Sequence, residues 1–321
     1  MQSYKQDLYD YRLLYELDRN SAATLSKLAN LLGRSKQFIA YRLKKLEDTG
    51  IITGYHAIVD MSKLGYFTFR LYFKLQQMTE SDGKSFVDYI KSHLSQVWTI
   101  TAMHGKWDYA LFIGVQHIQE FHTVWDNIMY TYKENIKSYN VALYAPIYNF
   151  NRKIFAEKVK DVVERVYGVG EMENIDKLDY ELLSLYANNV RQSSLEMAKK
   201  LKVSHDTISK RIHILEKKKV IVGYNLGLDL EKLGFTGYRV DLQLKSTKRN
   251  KELFYFCKMH KYIYQVNKSI GGADFEIEVI VEDRAHLLNI LDELKIAFKD
   301  VINDIDFFGF SVFHLLKYIP D

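Results

Sequence analysis

Asp10-Tyr11-Arg12-Leu13-Leu14 recurs as Asp179-Tyr180-Glu181-Leu182-Leu183, and that echo organises the rest of the chain. Arg42, Leu46, Glu47, Gly54, Tyr55, Leu64, Gly65 and Arg70 return as Arg211, Leu215, Glu216, Gly223, Tyr224, Leu233, Gly234 and Arg239. Each pair is separated by the same 169 positions (10 to 179, 42 to 211, 70 to 239). Further on, Gly105-Lys106-Trp107-Asp108-Tyr109 is answered by Gly271-Gly272-Ala273-Asp274-Phe275 at a separation of 166 (105 to 271). The chain therefore reads as two tandem copies of one unit, the second three residues shorter between these blocks. The loss is expected in the loop after Leu75.

Each copy opens with three short helices. In the first, Leu8, Tyr11, Leu14, Tyr15 and Leu17 follow helical spacing, Asn20-Ser21 interrupts, and Leu25, Leu28, Ala29, Leu31 and Leu32 form a second stripe. Gly33-Arg34 breaks the pattern, and Ser35 is an N-cap for a third helix with the stripe Ile39, Leu43 and Leu46. Copy two repeats this with Val203-Ser204 before Ile208, Ile212 and Leu215, and Ser193 with Glu196 predicts a capping box on its second helix.

Opposite its apolar stripe, the third helix of copy one carries Lys36, Gln37, Ala40, Tyr41 and Lys44, flanked by Arg34, Ser35, Arg42 and Lys45. A helix fits the major groove of double-stranded DNA. Lys and Arg reach guanine acceptors or phosphates there, Gln reads adenine, and the helix N-terminus favours a phosphate. The corresponding face of copy two shows Ser204, His205, Asp206, Ser209, Lys210 and His213, with Arg211 and Lys217 beside it. Lysine-rich faces also serve merely to solubilise a helix. Occurrence twice, after a tight turn in a trihelical unit, favours paired half-site recognition. Because Gln37 and Asp206 cannot favour the same bases, the expected site is asymmetric or imperfectly palindromic.

After Leu64-Gly65, copy one predicts a strand (67 to 75), a helix (about 84 to 93), two strands (97 to 103 and 109 to 115), a helix (121 to 132) and a last strand (137 to 147). This βαββαβ order gives an antiparallel sheet with both helices on one face, leaving a bare face for the other copy to cover. Between the copies, residues 149 to 174 carry an apolar stripe at Ile154, Val159, Val162, Val163 and Val166, then Gly168 and Gly170. They read as a linker helix and a glycine hinge. The divisions expected are 1–60, 61–148, 149–174, 175–229 and 230–321.

Composition narrows the classes. The chain has 321 residues, 47% hydrophobic, with 2 prolines, enough to build packed cores throughout. A net charge of +5 is compatible with a polyanionic partner. The single cysteine, Cys257, excludes an intrachain disulfide, lies among apolar neighbours and is read as a buried structural thiol. No Cys/His cluster has zinc-ligand spacing. The residues from Met1 to Asp7 show no leader pattern and no apolar run approaches a membrane span, so a cytoplasmic protein is expected. Phosphate-loop and His-Glu-x-x-His motifs are lacking, Gly168-Val169-Gly170 falls short of a dinucleotide fingerprint, and neither enzyme activity nor a cofactor or metal is expected.

The pattern Asp10-x-x-Leu13-Leu14, Leu28-Ala29, Ser35, Arg42-Leu43-x-x-Leu46-Glu47-x-x-Gly50-Ile51-Ile52-x-Gly54-Tyr55 and Leu64-Gly65 resembles the leucine-responsive and asparagine-synthesis (Lrp/AsnC) transcription regulators, over nearly the whole chain and twice. The resemblance implies an α+β protein: a winged helix-turn-helix, then a ferredoxin-like effector module whose sheets pair face to face and self-associate. One chain would supply its own pseudo-dimer. It also implies an amino-acid effector near a Gly-x-x-Asp turn, here Gly105 to Asp108 and Gly271 to Asp274, where glycine admits a carboxylate and Asp pairs with an ammonium. A plain hairpin turn is the other reading of those residues. Arg191 matches a basic residue common in the family's DNA-binding unit, where copy one has Ala22. Lys219 stands in place of the helix-ending glycine kept as Gly50, which points to an altered local turn in copy two.

Two alternatives remain open. Siroheme decarboxylases look like this family and share its two-part layout, but carry His-Asn-Tyr followed by Asn-Leu-Trp-Phe. This chain has Trp98-Thr99-Ile100-Thr101 and Trp107-Asp108-Tyr109-Ala110-Leu111-Phe112 in that region. The other is an architectural protein that bridges DNA through counterion release with little sequence preference.

Overall fold

The computed structural model describes residues 6–159 and 161–319. Met1 to Lys5, part of the segment read above for a leader, lie outside them. The same order of elements occurs twice. The first set is α1 (Leu8–Arg19), α2 (Leu25–Leu32), α3 (Lys36–Asp48), β1 (Ile52–Val59), β2 (Phe67–Leu75), α4 (Glu80–His93), β3 (Val97–His104), β4 (Tyr109–Val115), α5 (Ile118–Tyr132) and β5 (Ile136–Phe150). A short β6 (Glu164–Tyr167) follows. The second set is α6 (Lys177–Asn188), α7 (Ser194–Leu201), α8 (His205–Lys217), β7 (Ile221–Leu228), β8 (Thr236–Leu244), α9 (Asn250–Met259), β9 (Ile263–Ile270), β10 (Phe275–Val281), α10 (Arg284–Ala297) and β11 (Ile302–Leu316).

The helix starts follow from their caps. Asp7 accepts from the Tyr9 and Asp10 amides, Thr24 from Lys27, Ser35 from Phe38, and Ser204 from Thr207. Ser193 caps α7 through the Leu195 amide, and the reciprocal Glu196 arm of the expected capping box is not formed. The residues missing from copy two come out of a helix rather than a loop: α4 has 14 residues and α9 has 10.

The strands after the two trihelical heads do not fold back into separate wings. β1 and β7 pair with each other, antiparallel, with Tyr55 opposite Leu226 and His56 opposite Asn225. Each head then packs its first helix on the other's strand, α1 on β7 and α6 on β1. One apolar core results, running from Leu13, Leu14 and Leu17 through Ala57 and Val59 to Leu182, Leu183 and Leu226. The heads form one fused body.

The remaining strands run β2-β4-β3-β11-β8-β10-β9-β5, with β5 pairing back onto β2 and β6 added to β5. Two four-stranded antiparallel sheets thus face each other and also join edge to edge, β3 to β11 and β5 to β9, in a closed ring of eight strands. Closure leaves no unpaired edge within the ring. The period-2 alternation sorts the side chains. Leu71 and Phe73 of β2 face α4 and α5, and Val240 and Leu242 of β8 join the core under α9 and α10. The alternate positions, Arg70, Tyr72, Arg239 and Asp241, lie between the sheets with Phe308 and Tyr144.

The linker departs from the expected helix and hinge. Among its described residues, Lys153–Phe155 make one tight turn and Glu164–Tyr167 are a strand on β5. Pairing satisfies backbone groups that an isolated helix of this length would leave frayed. Val162 packs on the copy-two core and Ile154 on the fused heads, so the apolar stripe is divided between two bodies. Nor do the glycines act as a free hinge. The Gly168 amide donates to Asp60 Oδ1 at 2.8 Å and the Gly170 amide to Ser62 Oγ at 2.7 Å. Arg152 pairs with the buried Asp18, and Arg165 donates to the Asp18 carbonyl, tying the linker to the base of α1.

Candidate DNA interface and barrel interior

α3 is held by its inner residues Ile39, Leu43 and Leu46, which are buried. That leaves Lys36, Gln37, Tyr41 and Lys44 exposed on the opposite side, Tyr41 with 64% of its surface accessible. Ser35 is occupied as N-cap. Arg34 is exposed but lies over the Tyr9 ring, its guanidinium bonded to the Tyr9 hydroxyl. Lys45 lies over the Tyr41 ring.

Arg42 and Arg211 are corrections to the expected reading surface. Arg42 is half-buried and pairs with Asp7 at 2.7 Å and with the fully buried Asp10 at 3.2 Å, fastening α3 to the start of α1. Arg211 does the same for copy two through Asp176 and Asp179, both at 2.7 Å. The Asp that opens the repeat motif is the reason each arginine turns inward.

Arg191 is a third correction. Its guanidinium donates to the Ser21 and Ala23 carbonyls of the other head, both at 3.1 Å, and lies 4.2 Å over the Tyr55 ring. The β1–β7 ribbon brings the loop before α7 against the loop before α2, so this cation joins heads instead of facing outward.

On α8, His205, Asp206, Ser209, Lys210 and His213 are exposed. His205 Nδ1 lies 3.4 Å from Asp206, Ser209 donates back to the His205 carbonyl, and Ser204 caps the helix. An acid thus stands in the first turn of α8 where α3 has Gln37. The two faces differ in field as well as in hydrogen-bonding code, α3 being the more cationic.

The two Gly-x-x-Asp turns lie at the seams of the ring. Gly105 packs on Phe308 beside β11, and the Gly271 carbonyl accepts from Asn140 of β5. Their carboxylates are already engaged: Asp108 accepts from the Leu75 amide and from Lys74 Nζ, both at 2.7 Å, and Asp274 from the Leu244 amide at 2.7 Å. Each carboxylate thus ties its turn to the end of a neighbouring strand, β2 or β8.

The barrel interior holds a charged group that sequence reading missed. Arg239, fully buried, pairs with Glu276 and Asp241 and reaches the Tyr144 hydroxyl. Arg70 lies 3.6 Å from Glu278 of the other copy and over the Phe112 and Tyr144 rings. Burial pushes the Asp241 carboxyl up. The signal was the paired arginine of the repeat. The acids could not be found that way, because copy one has Tyr72, Ala110 and Phe112 where copy two has Asp241, Glu276 and Glu278.

At one end of the ring, a cavity of about 340 Å³ separates the barrel from the ribbon under the heads. Ala57, Val59 and Asn225 line it from the ribbon, and Trp98, Phe112 and Ile147 from the barrel. Nearby, His56 stacks on Tyr318 at 4.0 Å, and burial lowers its imidazole pKa.

Residues 6–53 match the family model described as winged helix-turn-helix DNA-binding. Relatives by sequence include proteins named as HTH-type transcriptional regulators. The chain is 36% identical over 91 residues to an HTH-type transcriptional regulator of Pyrococcus abyssi, covering 27% of this chain and 62% of that protein. It is 28% identical over 147 residues to the regulator LrpB of Bacillus subtilis, covering 43% of this chain and 95% of LrpB. Several curated relatives are spanned over only 39% to 62% of their length. Over the whole chain, the fold is similar to that of the siroheme decarboxylase NirDL, with a TM-score of 0.66 and 12% identity, covering 98% of this chain and 94% of that one. At that identity the likeness is one of fold. Among the described residues no helix is long and apolar enough to cross a membrane, and no cluster of His, Cys, Asp or Glu is arranged to hold a metal.

Proposed function

We propose that this chain is a sequence-specific, double-stranded-DNA-binding transcription regulator, made of two tandem helix-turn-helix and ferredoxin-like units. Head one is its principal reader. The observation that carries this is α3: a capped helix in a winged helix-turn-helix match, presenting Lys36, Gln37, Tyr41 and Lys44 to solvent while Arg42 is held inside. Lys44 and Lys36 would meet phosphates and Gln37 a base edge. Head two, with Asp206, His205 and Lys210, contributes a different and weaker half-site. Fusion of the heads through β1 and β7 means both dock as one body, so the operator has a fixed half-site spacing. A small effector, bound in the ferredoxin-like body, would modulate binding, and the cytoplasm is the compartment such a role requires.

Selection from genomic fragments, then titration of the best fragment and a scrambled control, tests this. A regulator should prefer its fragment by about 10³-fold or more. The preference should collapse with Lys36→Ala plus Gln37→Ala. Equal, weak binding to both fragments would leave the architectural reading.

The full-length likeness to NirDL favours a second reading, tetrapyrrole decarboxylation. The His-Asn-Tyr and Asn-Leu-Trp-Phe segments quoted above are missing from the corresponding region. Titration with an iron porphyrin, followed by its absorption band, decides it: a stoichiometric band shift supports an enzyme, and none removes the reading.

A further inference from the structure

We infer that Lys63 and Lys232 are positioning residues: each caps the third helix of the other copy's head, and together they fix the separation and angle at which α3 and α8 are presented. The two lysines are equivalent positions of the repeat, 169 apart (63 to 232), and so are the carbonyls they grip, Thr49 and Lys218 (49 to 218). Lys63 Nζ donates to the Lys218 carbonyl at 2.7 Å, and Lys232 Nζ to the Thr49 carbonyl at 3.1 Å. Thr49 and Lys218 are the C-terminal caps of α3 and α8. Carbonyls at a helix C-terminus lack intrahelical partners and carry the negative end of the helix dipole, so an ammonium suits them.

A backbone pair repeats the crossing. The Asp60 amide donates to the Val220 carbonyl at 2.8 Å and the Asp229 amide to the Ile51 carbonyl at 2.9 Å, again 169 apart (60 to 229, 51 to 220). A two-stranded ribbon such as β1–β7 is a weak structure on its own, and these exchanged bonds add fixed points just beyond its ends. The lysines stand on the tight turns Met61–Leu64 and Glu231–Leu233, which lead into β2 and β8. The clasp therefore also fastens each third helix to the barrel strand of the opposite copy. Its arms are unequal. The Lys63 side chain is 16% exposed and shares Glu173 of the linker with Lys218, at 3.4 and 3.5 Å, whereas Lys232 is half-exposed with Asp229 at 3.5 Å. α8 is held more firmly than α3.

Two helices held in this way offer their outer faces at a single separation. On a duplex, whose groove faces recur about every 34 Å, that separation selects the half-site spacing. Loss of the clasp lets the pair adapt to more than one spacing, and discrimination falls. The consequence for spacing rests on the regulator reading; the clasp itself does not.

Spin labels on Asp48→Cys and Lys217→Cys, exposed and equivalent positions near the ends of the two helices, report the separation in the full chain without DNA; the natural Cys257 is buried. Pulsed electron double resonance should give one narrow distance distribution. Lys63→Met plus Lys232→Met should broaden it at least about twofold, in variants whose thermal melts show them folded, and Lys63→Arg plus Lys232→Arg, which keep a donor, should not. Lys63→Met alone should broaden it more than Lys232→Met alone, and Lys232→Met, on the exposed arm, carries the test should Lys63→Met not fold. With DNA, changing the half-site spacing of a selected fragment by half a helical turn, about 5 base pairs, should weaken wild-type binding about tenfold and binding of the double methionine variant under about threefold. An unchanged distribution in the folded double variant overturns the clasp, and a broadened one with undiminished spacing discrimination overturns the positioning role. If the distribution broadens as expected and the wild-type chain prefers no DNA fragment, the clasp stands and the regulator reading falls.

Discussion

Lys219 shows how a single residue carries strain the repeat makes visible. It ends α8 with φ at +57°, where Gly50 ends α3 at +68°, so copy two keeps the left-handed turn and puts a side chain in it. Lys219→Gly should raise stability by about 1 kcal/mol in urea unfolding, since it removes a left-handed penalty of about 1–2 kcal/mol against some loss of backbone restriction. Lys153 is a second case. Its ammonium, fully buried, donates to the Lys258 and Ile263 carbonyls at 2.8 and 2.6 Å, and burial pushes its pKa down to about 7. A folded value below the unfolded one means stability is full above the ordinary lysine range and is lost as pH falls through about 7. Wild-type stability should therefore rise with alkaline pH relative to Lys153→Met. A parallel pair of curves from pH 7 to 10 would refute that account.

At the scale of elements, α3 separates cations that face solvent from a cation that holds the head together. Lys36 and Lys44 are exposed, while Arg42 is spent on Asp7 and Asp10. Lys36→Ala with Lys44→Ala should reduce the slope of log affinity against log salt by about 2 in magnitude, and Lys210→Ala on α8 by about 1 or less. Stability should respond in the opposite order. Arg42→Ala leaves the buried Asp10 carboxylate short of its counter-ion and should cost about 2 kcal/mol, against under about 0.5 kcal/mol for Lys44→Ala. Thermal melts alongside the salt titrations separate the two roles.

For the whole molecule, the decisive event is closure of the ring. At the β5–β9 seam, Gly271 has φ at +87° and a Cβ there would lie 2.5 Å from the Val141 carbonyl oxygen; at Gly234, φ is +77° and nothing lies within 4 Å. Gly234→Ala should cost about 1 kcal/mol, the backbone strain alone, and Gly271→Ala at least about 2 kcal/mol, with faster amide exchange along β5 and β9. Inside the ring, Arg239→Met strands Glu276 and Asp241 and should cost about 3–5 kcal/mol. Adding Glu276→Gln should recover part of that, an interaction a double-mutant cycle measures.

The sequence by itself determined what is local and periodic. The repeat, the capped helices, the α3 stripe and the βαββαβ order are written in spacing, because 3.6- and 2-residue periods and cap residues act within a few positions. The outward placement of Lys36, Gln37, Tyr41 and Lys44 was legible on the same ground. Tertiary structure alone decided what depends on pairing between distant segments. Arg42 and Arg211 turned inward because a carboxylate 32 residues earlier in each copy lies across the helix packing. Arg191 was taken by the other head, the linker became a strand, and the two bare sheet faces closed into a ring around Arg70, Arg239 and three acids. A cation's destination is set by which partner desolvates it, and that partner is chosen by how edges and faces meet in space, an arrangement that spacing along one chain does not encode.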